Sequence, residues 1–570
     1  MRTAFQKFTG AMLLCAGLGG GATVCAQTNI VSGPLPAGTN HWYRTNVYQL
    51  NGAVFVRSNS VLHIEAGTVI KGHNLGSFGT NVAALYICRG AKIYAEGTPQ
   101  NPIIFTADKD DLTLPDDMGL WERGLWGGVV VFGNTTINGA LDSAGNAATP
   151  KYEVYEGLDP ALNFGGEYVF RFGGTDDNDN SGILRYVSIR HGGAKLSTDK
   201  EINGLSLGAV GRGTTIEFVE AYAIADDGFE FFGGTVNTKY LVSAFCDDDS
   251  FDVDMGYRGT NQFWFALQAP DARNYGGEWN NQINEIVTTN LLTPQADFKV
   301  YNATFIGSGT ANTNVTGGRN AAIILRPYVA SKVYNSIFTD YNERGIELDT
   351  RQGVNAAVSV TEGYAQFHNT LWWGFVSGSG SGIVDNSIAN LSRNTVASNY
   401  WTDTSLTNQI ADPQLTSISR TNVGPTLDPR PLAGSPAYAD FATTPTGLNN
   451  VGYRGAFSGG RANWAADWTA LNEYNMLTSA GGINPLPAAS AGATMPPPNP
   501  VTLTIIPSGI NVLVSYLSQS GYSYQLKSAT NLSSPITWAD EGGALPGTGG
   551  TLTNTVPLSG SAKYFRVRAQ

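Results

Sequence analysis

Acidic residues recur at a regular interval in the middle of the sequence. Glu230 lies in the strand-like run GFEF, and Asp252 occupies the equivalent position of the next such run, SFDV. Further carboxylates precede the two runs, at Asp226, Asp227, Asp247, Asp248 and Asp249. If the interval from Glu230 to Asp252 is one coil of a solenoid, carboxylates of successive coils become neighbours.

Side-chain alternation in these runs predicts where the carboxylates point. In a strand, successive side chains lie on opposite faces. The apolar residues of the second run therefore share one face, namely Phe251, Val253 and Met255. Asp252 and Asp254 share the other face, and Glu230 takes the equivalent outward position one coil earlier. We expect Glu230 to lie beside Asp252.

A row of carboxylates needs either water or a counter-charge. Two like charges about 5 Å apart at an effective dielectric constant of about 20 repel by roughly 3 kcal/mol. Calcium fits such a row because it takes hard oxygen ligands in a flexible geometry. The predicted metal ligands are Asp226, Asp227, Glu230, Asp248, Asp249 and Asp252. The alternative is a hydrated acidic ridge that keeps the protein soluble and prevents edge-to-edge association.

The same carboxylates could act as acid and base in the cleavage of a glycosidic bond. The candidate catalytic residues are Glu230, Asp252, Asp254 and Arg258, with the arginine as the base of a lyase. The pair Asp226-Asp227 resembles the paired aspartates of galacturonan hydrolases, and the stretch 190–193 resembles their histidine loop. Their order along the chain is reversed here, and nothing completes the set.

Two further features near the acidic repeat are ambiguous. The loop TDDNDNSG starts like a calcium-binding loop, but its twelfth position is Ser188 instead of glutamate, which favours an ordinary turn. Several aromatic residues could form a platform for sugar rings or pack in the core. They are Phe232, Tyr257, Phe263, Trp264, Phe265, Tyr275 and Trp279.

Strand-like runs separated by turn residues extend from residue 50 to about residue 440, and helical periodicity is almost absent. Asn302, Asn335 and Asn369 follow similar strands at nearly equal intervals, which predicts an asparagine stack that bonds within itself and to the backbone. A solenoid needs caps at both ends. The segments Thr39 to Phe55 and Gly452 to Leu471 are the predicted caps.

The ends of the sequence predict export and a second domain. Residues 1–26 combine Arg2 and Lys7 with an apolar stretch and a small-residue cleavage point, as in a secretory signal. We expect the β-helix over residues 27–481, a linker rich in proline and alanine over 482–500, and a β-sandwich module over 501–570.

The net charge limits the possible partners. Loss of the two basic residues of the signal moves the formal charge from -12 to -14. This acidity argues against binding of nucleic acid or anionic lipid, which depends on lysine and arginine. No stretch is long and apolar enough for a membrane span. Cys88 and Cys246 remain after cleavage and are expected to be buried free thiols.

Six motifs occur in order along the chain, namely IEAGTVIKG, RGAKIYAEGTPQNPIIFT, GLWGGVVVFG, ADDGFEFFGGTVNTKYLV, DDDSFDVDMGYRGTNQF and YRGAF. Together they resemble a family of bacterial secreted and surface proteins that includes leptospiral-type outer-membrane lipoproteins. The resemblance implies a right-handed parallel β-helix of the pectate-lyase-like type and an extracellular or envelope address. It implies no catalytic residues, and the chain lacks the lipid-attachment cysteine of the lipoprotein members.

The sequence therefore predicts an all-β protein, secreted or exposed on the outer membrane, that is non-catalytic and serves binding, adhesion or structure. An extracellular polysaccharide or a cell-surface component is the expected partner, and calcium is the expected ion. A calcium-assisted polysaccharide lyase or glycoside hydrolase is the alternative. Assays on polysaccharides distinguish the two.

Overall fold

A computed structural model describes much of the chain from residue 27 to residue 569. The described ranges are 27–114, 117–139, 151–155, 157–198, 200–271, 274–281, 292–312, 320–351, 353–377, 383–395, 397–478, 502–508, 510–518, 523–530, 538–546, 550–557 and 563–569. The predicted signal, residues 1–26, and the predicted linker lie outside these ranges. The chain divides into two compact units, residues 1–487 and 488–570.

The first unit is a right-handed parallel β-helix, as the sequence predicts. Its strands pair in three columns, which we call sheets A, B and C. Four long strands bend and belong to both A and B, namely Gly182–Arg190, Thr215–Tyr222, Asn237–Ala244 and Thr260–Leu267. Two strands at the start, Gln27–Pro34 and Asn46–Val56, pair in both B and C.

The remaining strands each belong to one sheet. Sheet A also contains Thr39–Trp42, Val61–Ile64, Lys92–Glu96, Lys299–Tyr301, Lys332–Tyr334 and Gln366–His368. Sheet B also contains Val69–His73, Ile103–Ala107, Thr304–Ile306, Ile337–Tyr341, Leu371–Phe375 and Gln409–Ile410. Sheet C also contains Ala84–Ile87, Val129–Phe132, Leu205–Gly208, Phe229–Phe232, Phe251–Asp254, Gly277–Trp279, Ile323–Leu325 and Ile346–Leu348.

Loops and edges carry short elements. The antiparallel pairs are Glu153–Val154 with Arg171–Phe172, Asn163–Phe164 with Glu167–Tyr168, Lys195–Ser197 with Lys200–Glu201, Thr350–Arg351 with Val354–Asn355, and Leu415–Ser417 with Asp428–Pro431. The α-helices are Ala357–Thr361, Ile388–Ser392, Ser398–Trp401 and Ala470–Glu473, and the 3-10 helices are Gly79–Asn81, Thr404–Leu406 and Pro436–Tyr438. None of the helices in the described ranges has the length and apolar character needed to cross a membrane.

The predicted register of the central coils is confirmed. Phe229 pairs with Phe251, and Glu230 pairs with Asp252. The two phenylalanine rings stack inside the β-helix, with centroids 5.3 Å apart and planes 8° from parallel. Alternation ends earlier than predicted, because Met255 has a φ of +49° and packs with Phe232 in a cluster outside sheet C. The left-handed conformation turns the chain at Met255 and moves the Met255 side chain off the inner face.

Left-handed residues also form a column at the bend between sheets A and B. We call these residues the corner column, and each has a φ between +49° and +61°: Tyr186, Phe218, Tyr240, Phe263, Asn302, Asn335 and Asn369. The four aromatic rings stack with centroids 4.2 to 4.7 Å apart. Asparagine tolerates this backbone conformation, whereas an aromatic residue in it costs about 1–2 kcal/mol. Ring stacking and burial offset this cost.

The predicted caps are wrong at both ends. Residues 39–55 form strands of the first coils instead of a cap. Helical residues Leu391 and Trp401 join the core at the other end. Residues 440–474, which we call the strap, instead run along the outside of the coils, so that Trp468 packs on Tyr186 at 5.8 Å.

The asparagine stack is confirmed in its position and in its bonds to the backbone, but not in the predicted bonds among the asparagines. The side-chain amides do not join one another through any described hydrogen bond. They donate to the strap, as from Asn302 Nδ2 to the Tyr453 carbonyl at 2.9 Å and from Asn335 Nδ2 to the Ala442 carbonyl at 2.8 Å. The stacked asparagine side chains therefore bind the backbone of the strap.

The second unit is a small β-sandwich. One sheet contains Thr504–Ser508, Asn511–Leu517 and Thr551–Pro557, and the other contains Ser523–Ala529, Ala539–Asp540, Leu545–Pro546 and Tyr564–Ala569. Its small core includes Val514, Leu526 and Val556. Cys88 and Cys246, in the first unit, are buried free thiols.

Candidate functional site

The carboxylates predicted to be neighbours form a column on the outer face of sheet C. Four residues pair in register, in the order Ser206, Glu230, Asp252 and Glu278. Each lies between residues that point into the core, as Glu230 lies between Phe229 and Phe231. Coil stacking therefore places three acidic side chains one above another. We call these four residues, together with the turn residues described next, the acidic column.

A second row lies in the turns that precede these strands. Asp227 N donates to Asn203 Oδ1 at 3.2 Å, and Asp249 N donates to Asp227 Oδ1 at 2.9 Å. Tyr275 N then donates to Asp249 Oδ1 at 2.7 Å. Each turn side chain thus holds the backbone of the next coil with one oxygen. The second carboxylate oxygen of Asp227 and of Asp249 takes no part in these bonds.

The two rows meet in two groups of three carboxylates. Asp227, Glu230 and Asp252 each offer one oxygen, and these three oxygens lie within 4.8 Å of one another. Asp226, Asp227 and Asp248 form a second group by the same measure, so Asp227 is shared. Oxygen clusters of this kind are the ligand sets that calcium prefers in proteins.

The cluster is more buried than a surface acidic patch. Asp227 and Glu230 are each 7 % exposed, and Asp249 is 3 % exposed. Burial of a carboxylate without compensation is costly, because water no longer solvates the charge. Asp252 Oδ1 is shielded from solvent and has no hydrogen-bond partner. Asp227, Glu230 and Asp249 are too buried for a fully hydrated ridge, whereas the other predicted ligands, Asp226, Asp248 and Asp252, are half-buried.

Burial and mutual repulsion raise the pKa of three of these carboxyls. For Asp227, burial raises the pKa well above its ordinary value, and the charges of Asp226 and Asp252 add to the shift. Burial also raises the pKa of Asp249, with the charge of Asp248 as the next cause. Burial raises the pKa of Asp252 as well, followed by the charge of Glu278. These groups either hold protons or need a cation nearby.

Sequence reasoning missed several members of the site. Glu278 extends the column, and Arg326 lies beside it, with Nη2 2.5 Å from Glu278 Oε1 and Nη1 2.8 Å from Asp349 Oδ2. Arg326 also lowers the pKa of Asp252, against the larger effect of burial. Asn203 donates to Glu230 and closes the column at its other end. The only sequence signal is the GEW run, whose glutamate alternates with core residues.

The four candidate catalytic residues are not brought together as one set. Glu230 and Asp252 are adjacent, and Asp254 lies two positions further along the same strand, where Oδ1 accepts a hydrogen bond from Met255 N. Arg258 is held elsewhere, because Nη2 donates to the Thr136 carbonyl at 3.1 Å and to Asp177 Oδ1 at 3.0 Å. Arg326 therefore takes the place beside the column that the sequence suggested for Arg258.

The loop TDDNDNSG is an ordinary turn. Asp177 accepts a hydrogen bond from Thr136 N in addition to that from Arg258. Asp179 accepts hydrogen bonds from Asn134 Nδ2 and from Ser181 Oγ. These carboxylates hold the loop in place through protein donors, as is usual in turns rich in aspartate and asparagine.

Burial also bears on the aromatic residues and on His191. The seven aromatic residues that could form a sugar platform or pack in the core are all at most 4 % exposed, so they pack in the core and under loops. His191 is fully buried, and its ring contacts the Glu122 carbonyl at 2.6 Å and the Tyr474 hydroxyl at 3.3 Å. It therefore has no access to a substrate.

Comparison with known proteins identifies the family. The family described as pectate-lyase-like β-helix domain matches residues 39–372, which is more than half of the 570 residues. The chain belongs to this family. No curated protein sequence matches it.

One solved structure to which this chain is similar is that of a phage tailspike. It is tailspike protein gp49 of Acinetobacter baumannii bacteriophage Fri1, described as a capsular polysaccharide depolymerase. Identity is 10 %, the similarity covers 95 % of this chain and 85 % of the tailspike, and the TM-score is 0.21. At these values the similarity has no bearing on function. The resemblance to leptospiral-type proteins stays a prediction.

Proposed function

We propose that this protein is an exported, non-catalytic β-helix that binds calcium in the acidic column and, through it, an extracellular polysaccharide or cell-surface component. The observation that carries this proposal is the convergence of Asp227, Glu230 and Asp252, with one oxygen of each within 4.8 Å of the others. A divalent cation offsets the repulsion among buried carboxylates and provides a partner for the shielded oxygen of Asp252.

The ligand set favours a hard cation with a high coordination number. Asp227, Glu230 and Asp252 would hold one ion, and Asp226, Asp227 and Asp248 are the ligands available for a second. Calcium takes about six to eight oxygen ligands, so three carboxylates leave positions open. Water, or carboxylate and hydroxyl oxygens of a sugar chain, would fill those positions. The cation would thereby link an acidic protein to an acidic polymer.

The proposal is tested by calorimetric titration of the mature protein with calcium. We expect uptake by the wild-type protein and loss of at least tenfold in affinity for Asp227→Asn, which removes the shared ligand. Glu362→Gln is the matched control, because Glu362 is an exposed acid at the end of helix Ala357–Thr361, outside the column. Absence of calcium uptake by the wild-type protein, or equal affinity in both variants, would contradict the proposal.

Cleavage of a polysaccharide is a second candidate function. The observation that favours it is that oxygens of Glu230 and Asp252 lie within 4.8 Å of each other, close enough for a carboxyl pair to act on one bond. New reducing ends, or the absorbance of unsaturated products, would be sought with acidic and neutral polysaccharides. Cleavage that disappears in Asp252→Ala and Glu230→Ala would replace the non-catalytic proposal, whereas binding without cleavage favours it.

Export is supported by the signal-like residues 1–26. The net charge of -12 argues separately against a nucleic-acid partner. Fractionation of cells that express the full sequence tests this part separately. We expect the mature chain, beginning near Gln27, outside the cytoplasm. An uncleaved chain that stays inside the cell would contradict it.

A further inference from the structure

The corner column binds the strap through paired backbone hydrogen bonds. Asn335 Nδ2 donates to the Ala442 carbonyl at 2.8 Å, and Ala442 N donates to Asn335 Oδ1 at 2.7 Å. Gln262, next to the column, forms the same pair with Asn449, with both distances at 2.8 Å. An amide that pairs with both backbone groups of one residue recognises the peptide itself, whatever its side chain.

Aromatic contacts continue this binding along the earlier coils. Trp464 meets Tyr240 edge-on at 5.2 Å, and Trp468 meets Phe218 at 6.2 Å. Edge-to-face pairs of this kind each contribute about 0.5–1.5 kcal/mol beyond burial. One continuous segment therefore covers both the asparagine half and the aromatic half of the corner column.

Buried polar groups fix the end of the strap. Glu220 Oε2 accepts a hydrogen bond from Ala470 N at 2.7 Å, and Arg190 Nη1 lies 2.5 Å from Glu473 Oε2. Both Arg190 and Glu220 are buried on sheet B. The strap thus begins beside the last coils and ends beside a coil near the middle of the β-helix.

These contacts depend on the alignment of many coils. The strap contacts the corner column, or its neighbour Gln262, on every coil from Tyr186 to Asn369, where Asn369 Nδ2 donates to the Asp440 carbonyl at 2.7 Å. A slip of one residue in any strand moves its side chains to the opposite face. All binding positions for the strap exist together only when every coil is in register.

We propose that the strap is a lock on coil register. It docks after the coils have stacked, and it then prevents a single coil from slipping or unwinding unless the whole segment detaches. A solenoid without such a lock is held only by contacts between nearest neighbours. The strap contacts several coils at once and thereby links coils that have no direct contact with one another.

Amide hydrogen exchange on the full chain tests this lock. In Asn335→Ala we expect exchange to accelerate at least tenfold in several coils, including strands Lys299–Tyr301 and Gln366–His368. Asn342→Ala is the matched control, because Asn342 is also buried and donates to the Thr310 carbonyl at 3.1 Å, away from the strap. Its effect is expected to stay within its own coil and the adjacent coil that carries Thr310. Equal and local effects of both variants would overturn the proposal.

A second experiment avoids changes in the column. A protease site inserted after Val423, which is 86 % exposed, allows the folded protein to be cut between the last coil and the strap. Increasing denaturant is then applied while fragment association and exchange are measured. Loss of the strap in the same step as coil exchange supports the lock. Loss of the strap in an earlier step, with coil exchange unchanged, refutes it.

Discussion

The corner column and the acidic column are both rows of similar residues stacked by the same coils, yet they satisfy their polar groups differently. In the corner column, the amides of Asn302 and Asn335 donate to strap carbonyls. In the acidic column, Asp227, Glu230 and Asp252 face one another, and an oxygen of Asp252 is shielded without a hydrogen bond.

This difference in hydrogen-bond partners distinguishes a column that stabilises the fold from a column that costs stability. A row of neutral amides with backbone partners stabilises a fold, because each polar group exchanges water for a protein partner. A row of buried carboxylates costs stability unless something outside the chain compensates it. Sites whose buried charges are only partly compensated are where binding or catalysis is expected. This contrast supports the proposal that the acidic column binds a ligand, whereas the corner column stabilises the fold.

The largest effect is expected on the corner column. Trp468→Ala removes a buried ring that packs on Tyr186 and Phe218, and we expect a loss of about 3–5 kcal/mol in the free energy of unfolding. Urea unfolding measures it. The folded variant, by contrast, should bind calcium with the same affinity as the wild-type protein. A change of less than about 1 kcal/mol would mean that the strap contributes little.

Calcium should stabilise the protein through the acidic column alone. At free calcium about 100 times the dissociation constant, the free energy of unfolding should rise by about 2.7 kcal/mol. The same variants of the acidic column that lose calcium uptake should lose this increase, while Asn335→Ala should keep it. Thermal unfolding in calcium and in chelator gives the comparison. Equal stability in both solutions would argue against a bound cation.

A charge placed in the corner column should make it resemble the acidic column. Asn335→Asp keeps the shape of the side chain but replaces the donor to the Ala442 carbonyl with a second acceptor. We expect a loss of about 1–3 kcal/mol in the free energy of unfolding at neutral pH. The loss should shrink in acid, where the carboxyl is protonated and can donate. A loss independent of pH would show that the amide bond is not its cause.

The smallest effect concerns pH in the absence of metal. Burial raises the pKa of Asp227, Asp249 and Asp252 in the folded protein. Such a group stabilises the fold fully below its unfolded pKa of about 3.9, and this contribution is lost as pH rises through the folded pKa. Wild-type protein in chelator should therefore lose stability relative to Asp252→Asn as the pH rises.

The magnitude follows from linkage. Each unit by which the folded pKa of Asp252 exceeds the unfolded value corresponds to about 1.4 kcal/mol between the limits of pH. Urea midpoints of the two proteins at about pH 4 and about pH 8 measure the difference. Parallel curves for wild-type and variant would show that the pKa of Asp252 is not raised.

The sequence alone predicted the register correctly where successive coils have equal lengths. The regular interval between the central runs placed Phe229 on Phe251 and Glu230 beside Asp252, because short turns leave the register readable. It failed for Arg326, because 48 residues separate Arg326 from Glu278 and no equal interval links the two positions. It failed for Met255 because a methionine in the left-handed conformation interrupts alternation, and nothing in its residue type marks that conformation.

The position of the strap could not be predicted from residue spacing, for a different reason. Asn335 and Ala442 are 107 residues apart, and Gln262 and Asn449 are 187 residues apart. Tryptophans and alanines in residues 452–471 indicated a covering segment, but not which surface it covers. Bonds from amides to the peptide backbone leave no pattern in the residues that are recognised.

The path of the strap also determines where tension enters the β-helix. Thr478, the last described residue of the first unit, donates its N–H to the Leu427 carbonyl at 2.9 Å. A pull on Thr478 would first load this bond and then the pair of Glu473 with buried Arg190 on a central coil. The force would then be shared among the coils that the strap contacts, instead of falling on the terminal coil alone.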